Sequence, residues 1–169
     1  MKVILYMATS ANGFIAKEDD DTSWISVDEW NSYSLAVRTA GNLIVGHRTY
    51  DILTKQPEFA EFKDVKLVVV STQTFETLAP NHSVAGSPKE ALELFAGQNE
   101  VIVAGGGELN ASFIAEDLVD EMYCDIEPII FGAGIPLFHD TPFEKRLKFL
   151  GVKNITADEI QLHYEVLRA

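Results

Sequence analysis

Several residue types are scarce in this 169-residue sequence, and each scarcity excludes a class of protein. Cys124 is the single cysteine, so the chain cannot form an internal disulfide, and we expect a reducing compartment, the cytoplasm. Because Cys124 lies in a strand-like run, its thiol is expected to be buried and unreactive. No apolar run approaches the roughly 20 residues that a membrane helix needs, so no membrane contact is expected.

Basic residues are also few: 13 Lys and Arg stand against 26 Asp and Glu, which gives a net charge of −13. No basic stripe is available to meet phosphates, and nucleic acid is therefore not expected as a partner. The four histidines are scattered without the close spacing of a metal site, so no metal is expected. The sequence also lacks the G-x-S-x-G segment of a serine hydrolase, which argues against nucleophilic catalysis.

Short apolar runs alternate with amphipathic segments along the whole chain. Strands are predicted over 2–8, 42–46, 65–72, 82–86, 100–107, 119–129, 147–155 and 160–168. Helices are predicted over 26–40, 47–53 and 87–97, and another follows the glycines to about residue 116. Strands separated by helices form mainly parallel sheets. The sequence therefore predicts one three-layer α/β/α domain over residues 1–169, with a mostly parallel sheet, flanking helices and a C-terminal antiparallel strand pair.

Glycine and polar residues follow three of these strands directly. Gly105, Gly106 and Gly107 join a strand to a helix, either as a tight turn or as a place where an anion meets helix N–H groups. The segment "GHRT" at 46–49 is either a solvated helix start or a phosphate site with two potential cations and a hydroxyl. The segment "ST" at 71–72 ends a third strand. Because ligands of parallel sheets bind beyond the carboxyl ends of the strands, the three segments together favour an anion site.

The start of the first helix holds the candidates for the substrate side. Asp28 and Glu29 are either ordinary first-turn acids, which the helix dipole favours, or a catalytic acid. Trp24 is either a core residue or a cover over a pocket.

Taken in order, these segments resemble the dihydrofolate reductase superfamily. The most similar branch is that of riboflavin biosynthesis, whose reductase is the C-terminal domain of a bacterial bifunctional deaminase-reductase. The matched segments are "MATSANGFIA", "NLIVGHRTYDIL", "LVVVST", "VIVAGGGELNASFIAEDLVDEMYCDIEPIIFGAGIPLF" and the terminal strand pair. The resemblance implies a pyridine nucleotide that lies across the strand ends.

The resemblance also implies roles for individual residues. The three glycines bring the backbone against the pyrophosphate and permit an unusual peptide between two of them. The residues implied to contact the cofactor are Ala8, Phe14, Ile15, Ala16, Gly46, His47, Arg48, Thr49, Ser71, Thr72, Ala104, Gly105, Gly106, Gly107, Glu108 and Leu109. Those expected to contact the substrate are Met7, Trp24 and Asn110, with Asp28 or Glu29 as the proton source.

The sequence departs from the family pattern at three positions. Riboflavin-type reductases usually carry S-x-D-G-K in the first loop, where this chain has Asn12 for the acid and Phe14 for a lysine that helps to bind a phosphorylated substrate. Glu108 stands where folate reductases often have a basic residue near the cofactor phosphate. The resemblance therefore leaves the substrate open between an aminopyrimidine and a pterin-like ring.

These observations lead to one expected function and two alternatives. The expected function is an NADPH-dependent oxidoreductase that transfers hydride to a small heterocycle, resembling 5-amino-6-(5-phosphoribosylamino)uracil reductase. The alternatives are a dihydrofolate reductase proper and a nucleotide-binding module without turnover. Riboflavin-type relatives commonly pair through their sheets, and the apolar segment "PIIFGAGIPLF" at 128–138 is hard to leave in water, so a homodimer is expected.

Overall fold

The computed structural model describes residues 1–168 and contains ten strands and five helical segments. The strands are β1 (Lys2–Ser10), β2 (Phe14–Ala16), β3 (Asn42–Gly46), β4 (Lys66–Val70), β5 (His82–Ala85), β6 (Glu100–Val103), β7 (Glu121–Glu127), β8 (Ile135–Pro136), β9 (Leu147–Asn154) and β10 (Ile160–Val166). The helices are α1 (Val27–Ala40), α2 (His47–Leu53), α3 (Pro88–Glu93) and α4 (Gly107–Ala115), with a 3₁₀ helix at Pro57–Phe62.

Eight strands form one mixed sheet in the order β5-β4-β3-β6-β1-β7-β10-β9. The first six strands in that order run parallel, whereas β10 is antiparallel to both β7 and β9. The short strands β2 and β8 form a separate antiparallel pair. The predicted α/β architecture and the closing antiparallel pair are confirmed.

The sequence also identified the caps of α1 correctly. The Ser26 hydroxyl accepts a hydrogen bond from the Glu29 N–H at 2.9 Å, and Gly41 ends the helix in the left-handed region with φ of 68°. Helix α3 ends at Glu93, earlier than the predicted Gly97, and the turns that follow bring Phe95 into the core. The 3₁₀ helix is an addition that the sequence reading did not predict.

The sheet separates two apolar layers, and the helices divide between them. Helices α3 and α4 pack on one face, where Phe95 and Phe113 are fully buried. Helices α1 and α2 and the 3₁₀ helix pack on the other face, around Val37, Tyr50 and Phe62. Cys124 is buried as expected, and its burial raises the pKa of its thiol. No helix within residues 1–168 has the length and apolar character that crossing a membrane requires.

Candidate active site

A cleft of about 1640 Å³ opens where the parallel strands end. Its walls include Ala8 in β1, Gly46 in β3, Ser71 after β4 and Ala104 after β6. Ligands of open parallel sheets bind at this edge, and the three segments singled out from the sequence meet there.

The glycine triad forms one corner of the cleft, and its members have different constraints. Gly105 has φ of 84°, a region that favours glycine, and its carbonyl accepts a hydrogen bond from the Gly46 N–H at 2.9 Å. A Cβ on Gly107 would lie 2.6 Å from the Pro136 carbonyl oxygen, so no larger residue fits there. The Gly105–Gly106 peptide bond is cis.

Gly106 is the glycine that faces open space. A Cβ at this position would meet only the Thr49 hydroxyl, at 3.5 Å. No side chain caps the first turn of α4, and the residues of that turn line the cleft. The backbone N–H groups at this helix start are therefore available to an anion that rests on Gly106.

The opposite rim carries His47 and Arg48 at the start of α2. The His47 ring stacks on Phe75 with 4.1 Å between ring centroids, and its Nδ1 lies 3.4 Å from the Ser71 hydroxyl. The Arg48 guanidinium donates to Asp20 Oδ2 through Nε at 2.8 Å and Nη2 at 2.5 Å. Both groups are placed to meet a phosphate, but Arg48 already has a carboxylate partner.

Glu29 is the buried acid of the cleft wall, with only 3% of its surface exposed. Burial, followed by the negative charges of Asp125, Glu127 and Glu159, raises the pKa of its carboxyl well above the usual range. Across residues 1–168, neither a hydrogen-bond donor nor a cation offsets this effect. Glu29 is thus suited to keep its proton at a higher pH than an ordinary carboxyl does.

A buried polar network lies behind Glu29. The Tyr6 hydroxyl donates to Asp125 Oδ2 at 2.7 Å and contacts the Ser32 hydroxyl at 2.9 Å. The Gln161 amide donates to Asp125 Oδ1 and to the Tyr6 hydroxyl, each at 2.8 Å. Burial raises the pKa of Asp125 to about 6, against the opposing effect of the donated hydrogen bonds. A carboxylate with a donor on each oxygen is stabilised in its ionised form.

Two further carboxylates bind the residue that caps α1. Glu127 Oε1 accepts from the Ser26 N–H at 2.7 Å, and Glu159 Oε2 accepts from the Ser26 hydroxyl at 3.0 Å. Burial raises the pKa of the Glu159 carboxyl. The hydrogen bond from Ser26 lowers this pKa, and the neighbouring Glu127 raises it again. Both carboxylates therefore hold the start of α1 through Ser26.

Most of the residues predicted for the site lie together in the cleft wall. They are Met7, Ala8, Ile15, Ala16, Glu29, Gly46, His47, Arg48, Thr49, Ser71, Thr72, Ala104, Gly105, Gly106, Gly107, Glu108 and Leu109. Their shared position agrees with one binding site, and their contacts to a cofactor or substrate stay predictions.

Four predicted residues lie outside the cleft. Asp28 is exposed on α1, one residue from Glu29, and is not among the residues that line the cleft. The Trp24 indole N–H donates to the Asp21 carbonyl, and the ring packs edge-on against Phe131. These contacts attach Trp24 to the acidic loop, and its contact with a substrate stays a prediction.

Asn110 and Phe14 serve the fold. The Asn110 side chain is fully buried, accepts from the Gly105 N–H at 3.2 Å and donates to the Leu137 carbonyl at 3.0 Å. It holds the glycine corner in place and has no surface for a substrate. The Phe14 ring packs at Gly134, where an added Cβ would lie 3.1 Å from it.

The sequence reading missed the network behind Glu29, although a signal for it exists. Strand β7 contains Asp125 and Glu127 within an apolar run, at alternate positions that point to the same side of the sheet. Buried carboxylates without a lysine or arginine nearby are rare, and they mark functional sites more often than structural ones. Tyr6 and Gln161 carry no comparable signal, because either residue is ordinary in a strand.

Comparisons with known proteins agree with this geometry. The family model of the RibD C-terminal domain matches residues 1–160. The Bacillus subtilis (strain 168) uncharacterized protein YwjB is 33% identical over 171 residues, covering 96% of this chain and 97% of its own.

Solved structures share the fold. A Shewanella sp. PV-4 protein, named for riboflavin biosynthesis, aligns with a TM-score of 0.80 and 22% identity, covering 99% of this chain and 100% of that one. A diaminohydroxyphosphoribosylaminopyrimidine deaminase/5-amino-6-(5-phosphoribosylamino)uracil reductase from Thermotoga maritima aligns with a TM-score of 0.74 and 17% identity. The alignment covers 98% of this chain and 56% of the larger one.

Proposed function

This chain belongs to the RibD C-terminal domain family, and from that premise we propose that it is an NADPH-dependent reductase of a small heterocycle. The substrate ring would be an aminopyrimidine or a pterin-like compound. The observation that carries the proposal is Glu29. Its carboxyl is buried in the cleft wall, and no residue among 1–168 offers it a hydrogen bond or a positive charge. The same cleft contains the three glycines at the start of α4. Hydride transfer to a ring nitrogen–carbon double bond needs a proton as well, and Glu29 is a suitable donor.

The residues of the cleft fit a pyridine dinucleotide. A pyrophosphate is accommodated where Gly106 leaves room beside the Thr49 hydroxyl and the uncapped start of α4. His47, Arg48 and Ser71 would contact the adenosine phosphate, and Ala8, Ile15 and Ala16 would flank the nicotinamide. When bound, the reduced nicotinamide supplies the hydride.

On the substrate side, Glu29 would hold a proton at its carboxyl until the ring accepts it. Met7 lines the same cleft, and its methyl group lies 3.4 Å from the position that a Cβ on Gly105 would take. A buried carboxyl without other partners is also able to bind the amino group and ring nitrogen of an aminopyrimidine through two parallel hydrogen bonds. The ability to bind such a ring also supports an aminopyrimidine or a pterin-like compound as the substrate.

A dihydrofolate reductase proper is the second candidate, and one observation favours it. The lysine with which riboflavin-type reductases help to bind a phosphorylated substrate is replaced by Phe14, whose ring packs at Gly134 and does not line the cleft. A substrate without that phosphate would not need the lysine. A nucleotide-binding module without turnover is disfavoured, because burying an uncompensated carboxyl costs stability and serves binding of the nucleotide in no evident way.

A turnover screen tests the proposal. The purified protein is incubated with NADPH and, separately, with aminopyrimidines, dihydropterins and dihydrofolate, while loss of the reduced-cofactor absorbance is followed. We expect oxidation with one class of heterocycle that exceeds the rate without substrate. NADPH that binds, as measured by its fluorescence, but is oxidised with none of them would instead support the module without turnover. A cytoplasmic location stays a prediction.

A further inference from the structure

Two buried carboxyls, Glu29 in the cleft wall and Asp125 in the network behind it, have opposite surroundings. Asp125 receives a hydrogen bond on each oxygen, from the Tyr6 hydroxyl at 2.7 Å and from the Gln161 amide at 2.8 Å. Within the described residues 1–168, the Glu29 carboxyl receives no hydrogen bond and has no cation beside it. When two carboxyls in a low-dielectric site repel each other, the one with donors takes the charge and the one without them keeps the proton.

Tyr6 connects Asp125 to the helix that carries Glu29. Its hydroxyl bridges Asp125 on β7 and Ser32 on α1. Ser32 lies three residues after Glu29, so both side chains are on the same face of α1. Tyr33, one turn after Glu29, packs against the Tyr6 ring with 5.6 Å between centroids. The geometry is rigid, because every element that holds it is part of the core.

Charged and titratable groups surround Glu29 and Asp125 on each element that packs against them. They are Tyr6 on β1, Asp28 and Tyr33 on α1, Glu127 on β7, Glu159 before β10 and Lys153 on β9. Lys153 acts on Asp125 and favours its ionised form. Glu127 and Glu159 act on Glu29 in the same direction as Asp125, and the effect of Asp125 is the largest of the three.

We infer that Asp125 is a positioning residue whose negative charge, fixed by Tyr6 and Gln161, keeps Glu29 in its proton-carrying form. The value of this arrangement for catalysis rests on the proposed function. The protonation of Glu29 itself does not, and it is measurable in the protein without substrate or cofactor.

The test is a pH titration by NMR of protein labelled with ¹³C at the glutamate side-chain carboxyls. Glu29→Gln identifies the signal that belongs to Glu29. We expect this signal to titrate at a higher pH than those of the exposed glutamates. In Asp125→Asn, where the amide still accepts from Tyr6, the midpoint should move down toward the ordinary carboxyl range.

Glu159→Gln is the matched control. It also replaces a buried acid by its amide, but the charge of Glu159 acts on Glu29 less strongly than that of Asp125 does. The Glu29 midpoint should therefore move much less than in Asp125→Asn. Equal movement in both variants, or a Glu29 signal that titrates with the exposed glutamates, would overturn the inference.

A second variant covers the case in which Asp125→Asn does not fold, as judged by circular dichroism. Tyr6→Phe keeps the ring in place and removes one donor from Asp125, which makes its ionised form less stable. The Glu29 midpoint should move in the same direction, by a smaller amount. An unchanged midpoint in Tyr6→Phe would overturn the role given to the network. If the titration agrees while the turnover screen finds no substrate, the inference stands and only the proposed function fails.

Discussion

The guanidinium of Arg48 is bound to Asp20, with its Nε and Nη2 at 2.8 and 2.5 Å from one carboxylate oxygen. Arg48 is the arginine of the cleft that the sequence assigns to the cofactor phosphate. The side chain of Arg48 is 67% exposed, and pairs of this kind contribute only about 0–1 kcal/mol. Asp20 and a phosphate would therefore compete for the same cation, and the carboxylate is readily displaced.

The first prediction concerns cofactor choice. Asp20→Asn removes the competitor, so the Kd for NADPH should fall by about twofold to fivefold, in line with up to about 1 kcal/mol, with the Kd for NADH nearly unchanged. Arg48→Ala should erode most of the preference for NADPH. Binding is measured by cofactor fluorescence.

Asp21→Asn is the control for this prediction. It makes the same charge change in the same loop, but Asp21 pairs with Lys17 at 2.5 Å and not with Arg48. If the two aspartate variants change NADPH binding equally, the effect comes from the charge of the loop and not from the release of Arg48.

The second prediction separates the glycines. Gly106→Ala should fold normally, because φ is −76° and the new Cβ meets only the Thr49 hydroxyl at 3.5 Å. It should still raise the cofactor Kd by about tenfold, or about 1.4 kcal/mol, since the methyl group takes the place of the phosphate.

Gly107→Ala is the counterpart, because its Cβ would lie 2.6 Å from the Pro136 carbonyl. Its thermal midpoint should drop, whereas that of Gly106→Ala should stay near wild type. Unchanged cofactor binding in a folded Gly106→Ala protein would rule out the phosphate corner.

The third prediction concerns stability against pH. The folded protein raises the pKa of Asp125 from 3.8 to about 6, so it binds this proton more tightly than the unfolded chain does. The contribution to stability is therefore full below about pH 4 and is lost as the pH rises to about 6, in total about 3 kcal/mol. The measurement is urea unfolding of wild type and Asp125→Asn at several pH values. The free-energy difference between the two should change across this window, and a constant difference would contradict the prediction.

The sequence predicted the fold well because its local signals agree with the tertiary structure. Ser26 and Gly41 cap α1 as expected, and the apolar runs became the central strands. The site was predicted less completely. Positions at strand ends follow from topology, whereas the direction of a side chain within a helix turn depends on packing. This is why Asp28 and Glu29 could not be separated before the structure, although one is exposed and the other buried.

Contacts between residues that are distant in the sequence were harder still to predict. Tyr6, Asp125 and Gln161 come together only because β1, β7 and β10 are neighbours in the sheet. Asn110 was expected to contact the substrate because of its position in the sequence. It follows the glycine triad closely, but the turn of α4 directs its amide inward, to Gly105 and Leu137.

The fourth prediction is that the protein forms a homodimer through β9. This strand lies at the edge of the sheet and leaves apolar side chains in water, with Phe149 57% and Val152 58% exposed. An edge strand has unpaired backbone groups, and two copies related by a twofold axis can pair there and cover both apolar faces. The segment at 128–138 is less exposed than expected, with Ile130 as its one strongly exposed large apolar residue among those the structure describes.

Light scattering measures this directly. Wild type should have twice the mass of the chain, and Phe149→Lys should be monomeric. Leu35→Lys, at an exposed position on α1, should remain a dimer. A monomeric wild type over a wide range of concentration would show that β9 does not pair.

The central claim is that Glu29 supplies the proton for a reductase reaction, and steady-state turnover of Glu29→Gln tests it most directly. The assay uses NADPH with the heterocycle found in the screen, and Asp28→Asn serves as the control one residue away on the exposed side of α1. We predict that kcat of Glu29→Gln falls by about 10²–10⁴-fold with the NADPH Kd nearly unchanged, while Asp28→Asn keeps nearly full turnover. Full turnover in Glu29→Gln would contradict the account, because the proton would then come from water or from the substrate itself.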